Sequence, residues 1–275
     1  MASEDAPIGI FDSGVGGLTV MKDIIEKLPQ YDFVYLGDSA RTPYGNRSFE
    51  SIYHFTLECV KYLFSQGCHL IILACNTASA KALRTIQQKD LPVIAPQKRV
   101  LGVIRPTAEV IGLHSKTDHV GVLGTTGTVQ SESYLMEIKH QFPGLSVYQQ
   151  ACPMWVPLVE NNEHTDPGAN YFVKKYLDQI LNQSPKIDTL LLACTHYPLL
   201  MKKIKSRLPN EISVLSQGPI VAASLQDYLR RHPEIDAKCS KERTRRFLTT
   251  DASELFDYHA TTFFGRTVES EFVEV

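Results

Sequence analysis

The sequence predicts an α/β fold of two similar parallel-sheet α/β domains, with the active site in the cleft between them. Three observations predict it. Short β-branched runs alternate with stretches of helical length, the signature of a parallel sheet wrapped by helices. That pattern restarts near His119. Two strand-end segments, Leu73-Ala-Cys-Asn-Thr77 and Leu192-Ala-Cys-Thr-His196, echo each other with their cysteines 119 positions apart.

In the first half the apolar runs predict strands at Ile8–Phe11, Phe33–Leu36, Leu70–Ala74 and Val93–Ala95. The second half repeats them at His119–Leu123, Leu145–Tyr148, Thr189–Ala193 and Ser213–Leu215. Helices are expected at Leu18–Leu28, Phe49–Gln66, Ser79–Gln88, Ser131–Gln141, Gly168–Asn182 and Leu199–Arg207. A second echo pairs Gly9-Ile-Phe-Asp-Ser13 with Gly121-Val-Leu-Gly-Thr125, their first glycines 112 apart. Two related halves account for both offsets; chance likeness between common strand-end tripeptides is the competing account. The segment from Gly218 onward is too short for a third domain. It opens with a helix at Ile220–Leu229, contains a strand-like Arg246–Thr249, and is expected to pack back on the first half. The expected domains are therefore 1–102 with 217–275, and 103–216.

A formal charge of −2 without a basic stripe argues against nucleic acid or a membrane surface as the main partner. The acidic opening segment lacks the basic and apolar regions of a signal peptide, and no apolar run approaches the roughly 20 residues that span a bilayer. A cytoplasmic protein is expected. In that setting six cysteines without CxxC or HxxxH spacing point to neither disulfides nor a zinc site. Cys59, Cys68, Cys152 and Cys239 read as small buried hydrophobes. Asp12-Ser-Gly-Val-Gly-Gly17 matches neither a P-loop nor a dinucleotide fingerprint, and no lysine motif for pyridoxal phosphate stands out.

Cys75 and Cys194 differ from the other four. Each ends an apolar strand and is followed by hydrogen-bonding residues, where backbone N–H groups favour the thiolate. One activated cysteine would suggest covalent catalysis. A symmetric pair suggests inversion of a stereocentre, in which one thiolate removes a Cα proton and the other thiol returns one to the opposite face. Asp12 is placed to assist Cys75 and His196 to assist Cys194. Ser13, Gly45, Asn76, Thr77, Thr125, Thr128 and Thr195 are candidates to hold substrate carboxylates. Helix capping is the competing role for Asp12 and Thr77, and a surface position the competing reading of His196.

Four segments resemble the signatures of glutamate racemase: Phe11-Asp-Ser-Gly-Val-Gly-Gly-Leu18, Gly37-Asp-Ser-Ala-Arg-Thr-Pro-Tyr-Gly45, Ala74-Cys-Asn-Thr-Ala-Ser79 and Ala193-Cys-Thr-His-Tyr-Pro198. Gly121–Tyr134 and Phe247-Leu-Thr-Thr-Asp251 resemble it more weakly. The resemblance implies that Cys75 acts on D-glutamate and Cys194 on L-glutamate. It gives Asp12 and His196 supporting roles and adds Glu160 as a further polar member of the site. It implies substrate contacts at Asp12, Ser13, Tyr44, Gly45, Asn76, Thr77, Thr195 and His196. No cofactor or metal, a homodimer, and supply of D-glutamate for peptidoglycan are implied as well. One stretch departs from the family pattern: Ala95-Pro-Gln-Lys-Arg-Val-Leu101 intervenes before Gly102, and Arg105 stands where an acidic residue is usual. This stretch reads as the crossing between domains. Competing readings are an aspartate racemase, for which Thr195-His196 is the wrong signature, a non-catalytic regulatory or binding protein on the same fold, and a thiol redox enzyme.

Overall fold

The structure is a computed structural model describing residues 6–275; residues 1–5 of the acidic opening segment lie outside the described residues. Strands are β1 (Ile8–Asp12), β2 (Phe33–Gly37), β3 (Leu70–Leu73), β4 (Arg99–Gly102), β5 (His119–Gly124), β6 (Ser146–Ala151), β7 (Thr189–Ala193), β8 (Ser213–Ser216), β9 (Arg245–Thr249) and β10 (Ser270–Phe272). They form two sheets, ordered β10-β9-β2-β1-β3-β4 and β6-β5-β7-β8, with every pairing parallel. The all-parallel α/β class expected from the alternating runs is the class observed. The chain gathers into two compact units: residues up to Val103 together with Gly218–Val275, and Ile104–Gln217.

Without β9 and β10, the first sheet has the strand order of the second. The register repeats as well. Gly9 on β1 pairs with Ile71, four residues before Cys75, and Gly121 on β5 pairs with Leu190, four residues before Cys194. The offsets of 112 and 119 thus reflect equivalent positions on one repeated scaffold. Positions 12 and 124, 13 and 125, and 77 and 196 correspond.

β1, β2, β3 and β7 are buried along their whole length, which is why they read as continuous apolar runs rather than alternating ones. The helices that cover the first unit's sheet begin with α1 (Leu18–Lys27), α2 (Phe49–Ser65) and α3 (Asn76–Lys81). In the second unit follow α4 (Ile104–Ala108), α5 (Thr126–Gln130), α6 (Ser133–Gln141), α7 (Trp155–Glu160), α8 (Pro167–Leu181) and α9 (Met201–Lys205). The chain then supplies α10 (Gln217–Arg231) and α11 (Ser253–Phe264). α2 buries Ile52, Thr56, Leu57, Cys59, Val60 and Leu63; α8 buries Ala169, Val173, Tyr176, Leu177 and Ile180. Leu57 aside, the two sets share one spacing, a single helical face, and each large apolar side chain on it contributes about 1.5–3 kcal/mol. Ser48 caps α2 by accepting the Ser51 N–H, and Gly67, at φ 92°, turns the chain left-handed after its end.

Three local expectations are corrected. Val93–Ala95 is not a strand: Leu91–Ile94 is a helical turn opened by Pro92, with Val93 82% exposed, and the fourth strand falls at Arg99–Gly102. The Ala95–Leu101 stretch therefore supplies a turn and most of an edge strand of the first unit instead of the crossing, which follows Val103. Arg105 is an exposed residue of α4 paired with Glu109 at 2.9 Å. The third helix starts at Asn76 instead of Ser79, directly behind Cys75. Among the described residues no helix is long and apolar enough to cross a membrane.

Candidate active site

In the first unit, β1 ends at Asp12 and the following Ala74 N–H donates to the Phe11 carbonyl at 2.8 Å, so Asp12 and Cys75 leave the sheet side by side. This is the carboxyl edge, where open parallel sheets bind ligands. The Cys75 side chain caps α3: its Sγ accepts the Ala78 N–H at 3.4 Å and lies 3.5 Å from the Ser13 hydroxyl. Asn76 and Thr77 are buried in the first turn of the same helix. Capping of α3 thus falls to Cys75. The Asp12 carboxylate instead accepts the Gly14 N–H at 3.1 Å and tightens its own loop. Tyr35 donates to the Gly14 carbonyl at 2.7 Å. A Cβ on Gly17 would stand 2.6 Å from the Asp12 Cβ, so only glycine lets the loop close this tightly.

Tyr44 is fully buried, its ring beside Phe11 and Phe55 and its hydroxyl donating to Asp38. Burial, with the neighbouring Cys59 and Asp38, keeps that phenol protonated far above its usual range. The side chain therefore anchors the loop, with half-buried Gly45 next along the chain. Asp38 is the hub of this loop and went unnoticed in the sequence. It is itself buried, and accepts both Arg41 Nε, at 2.7 and 2.9 Å, and the Thr250 hydroxyl at 2.9 Å. Thr250 follows β9, which explains why Phe247–Asp251 belongs with the other motifs. Burying a carboxylate is costly unless its oxygens are hydrogen-bonded, and these partners meet that need.

In the second unit, Thr125 occupies the position of Ser13. Its hydroxyl caps α5 through the Thr128 N–H at 3.2 Å and lies 3.0 Å from the Thr128 hydroxyl. Cys194 follows β7, its Sγ 3.9 Å from His196 Nδ1, while His196 Nε2 lies 3.1 Å from Glu160 Oε1. The Thr195 hydroxyl is 3.4 Å from the same Nδ1. His196 is 6% exposed, so it is not a surface histidine. Burial alone would lower its pKa, but hydrogen bonds and charge from Cys194 and Glu160 outweigh it and lift the imidazole to about 10. The structure joins Cys194, His196 and Glu160 in one chain. From sequence, Glu160 stood in the site by resemblance alone, 36 residues from its partner. Among the described residues no group of three or more His, Cys, Asp or Glu could hold a metal.

The family model described as Asp/Glu/Hydantoin racemase matches residues 8–246. The glutamate racemase of Persephonella marina is 40% identical over 269 residues, 98% of this chain and 97% of that protein. That of Sulfurihydrogenibium sp. is 40% identical over 91% of each chain. Among solved structures, a glutamate racemase isoform of Bacillus anthracis superposes with a TM-score of 0.90 at 33% identity, covering 99% of this chain and 98% of that one. The Francisella tularensis glutamate racemase in complex with D-glutamate gives 0.87 at 30% identity, covering 98% of each. An aspartate racemase of Picrophilus torridus reaches 0.55 at 20% identity over 87% of this chain and 96% of that one, a likeness of fold alone. These likenesses bear out the resemblance read from the four motifs, and the chain belongs to the Asp/Glu/hydantoin racemase family.

Proposed function

We propose that this chain interconverts L- and D-glutamate without a cofactor, using Cys75 and Cys194 as the acid/base pair. The observation that carries the reading is the repeated register: two thiols at equivalent strand ends, each with its own polar support. A thiolate takes the Cα proton, the electron pair is held as a carbanion stabilised by the substrate's own carboxylate, and the second thiol returns a proton to the other face. The two thiols exchange protonation states in each turnover, so no oxidant or outside acid is consumed. The mechanism requires both thiols to reach one Cα.

Different groups face the two sulfur atoms. At Cys75 the Ala78 N–H donates to sulfur, and the Ser13 hydroxyl, which accepts from the thiol, is in reach to donate to the thiolate once that proton has left. At Cys194 the positive imidazole of His196, oriented by Glu160, supplies a full charge. Such fixed donors and charges matter because the Cα–H is a very weak acid and its carbanion a correspondingly strong base, so the proton leaves only with strong electrostatic help. Asp12, Ser13, Asn76, Thr77, Thr125, Thr128, Thr195 and backbone groups at Tyr44 and Gly45 are proposed to hold the substrate. The family resemblance further supports a homodimer, a cytoplasmic location and supply of D-glutamate for peptidoglycan, with 1–102 plus 217–275 and 103–216 as functional domains. Glutamate is preferred over aspartate because Thr195-His196 follows the second cysteine.

The test is proton NMR of the purified, reduced protein with L-glutamate in D₂O, paired with circular dichroism and no added cofactor. Loss of the Cα proton signal with decaying optical activity is the expected result. A folded sample that exchanges neither enantiomer would refute the reading.

A further inference from the structure

The geometry points to Tyr197 as a positioning residue that holds the segment carrying His196 against the helix carrying Glu160. The inference rests on the functional reading of that pair. Tyr197 directly follows His196 and is fully buried. Its backbone N–H donates to the Cys194 carbonyl at 3.2 Å, closing the turn that contains the thiol and the imidazole. Its hydroxyl reaches across to donate to the Cys152 carbonyl at 3.1 Å. The same carbonyl accepts the Trp155 N–H at 3.1 Å, the first residue of α7. The Tyr197 and Trp155 rings meet edge to face, with centroids 4.8 Å apart and planes at 79°. The Trp155 indole N–H is in turn tied to the Phe172 carbonyl of α8 at 3.3 Å.

α7 is six residues long, with Trp155 at its first position and Glu160 at its last. Clamping the first end of so short a helix sets where the last end lies. The Glu160 side chain is 31% exposed and has His196 as its hydrogen-bond partner, so its placement depends on the backbone that carries it. Tyr197 ties this helix to the Cys194–His196 turn in two ways: a hydrogen bond to the Cys152 carbonyl just before it and an aromatic edge on Trp155 within it. The aromatic pair alone is a packing contact. Together with the hydrogen bond it fixes both the distance and the rotation of α7 relative to His196.

The test uses Tyr197→Phe in the full chain, which keeps the ring and deletes the hydroxyl bond. The His196 ring is titrated by NMR of histidine-labelled protein without substrate, with the ionisable Cys194 and Glu160 against it. The expected result is a midpoint lowered by about 0.5–1 pH unit, the size of weakening one hydrogen bond to a charged group. The shift should vanish in a Glu160→Gln background, and kcat for racemisation should fall about tenfold from misplacement. An unchanged midpoint, even with a lower melting temperature, shows a packing role only and overturns the inference. So does an equal shift in the Glu160→Gln background. Because the titration needs no substrate, a chain without racemase activity would defeat the functional reading while this measurement still decides on Tyr197.

Discussion

Cys75 and Cys194 occupy equivalent positions at the ends of β3 and β7, yet the polar groups around them have little in common. Cys75 sits at the start of a helix and accepts a backbone N–H. Cys194 leads into a short turn and meets a buried imidazole backed by a carboxylate. The repeated register assigns the position of each thiol, and substitutions at neighbouring equivalent positions assign its chemistry. Asp12 corresponds to Gly124, and Thr77 corresponds to His196. Repetition of a scaffold thus fixes where two thiols stand without fixing what surrounds either. Fixed dipoles support the first thiol, and a titrating cation supports the second.

The largest expected effect ignores the difference between the halves. Cys75→Ala or Cys194→Ala should each lower racemisation by about 10²–10⁴-fold or more, measured by circular dichroism with either enantiomer. Near-normal turnover in either variant breaks the two-base reading. His196→Asn probes the asymmetry. It should lower kcat from L to D by about 10²-fold and kcat from D to L by less, since a positioned charge contributes on that scale. The ratio of the two kcat/KM values must stay fixed by the equilibrium. Equal kcat losses in both directions would remove the directional role of His196.

A smaller contrast concerns packing around the equivalent loops. Gly17→Ala should destabilise the protein by about 1–3 kcal/mol in urea unfolding, because the new methyl meets the Asp12 Cβ and the Tyr35 hydroxyl. At Gly124 an added Cβ finds its nearest neighbours at 3.4 Å, ordinary contact, so Gly124→Ala should cost less. Equal losses would mean that the tightness of the Asp12 loop is not what distinguishes the halves. The smallest effect is a slope. His196 is held at about 10, above the ordinary 6.5 or so, so its contribution to stability is fully present below about pH 6.5 and is lost as pH rises through about 10. Urea midpoints between those limits should fall more steeply in the wild type than in His196→Asn; parallel curves would show that His196 carries no such linkage.

Much of this organisation is legible in the sequence because strands buried on both faces leave unbroken apolar runs, and each run stops at a polar turn. Val93-Ile94 misled for a physical reason: two β-branched residues on an exposed helical turn mimic a strand. The true edge strand begins with Arg99 and carries one fully buried residue, Val100, too weak a pattern to stand out. α11 and β10 were not anticipated either, since neither presents a long apolar run. In the candidate site, the two thiols were legible from their repeated context. The links between His196 and Glu160, and from Asp38 to Arg41, Tyr44 and Thr250, were not. His196 and Glu160 are 36 positions apart and Asp38 and Thr250 212 apart, so the folded backbone brings them together, while Arg41 and Tyr44 are local partners whose common acceptor no spacing rule singles out.

The place of β9 beside β2 bears on how the chain is made. β2 pairs through Phe33–Gly37 with Arg245–Thr249, so that edge of the first sheet stays unpaired until the whole of Ile104–Gln217 has been synthesised. Vectorial synthesis therefore presents a contiguous second unit before the first can be completed, and leaves an open row of backbone donors and acceptors on β2 in the meantime. Asp38, at the end of that strand, waits for Thr250 over the same interval. The loop that the Asp38 hub organises is thus among the last parts of the protein to be finished.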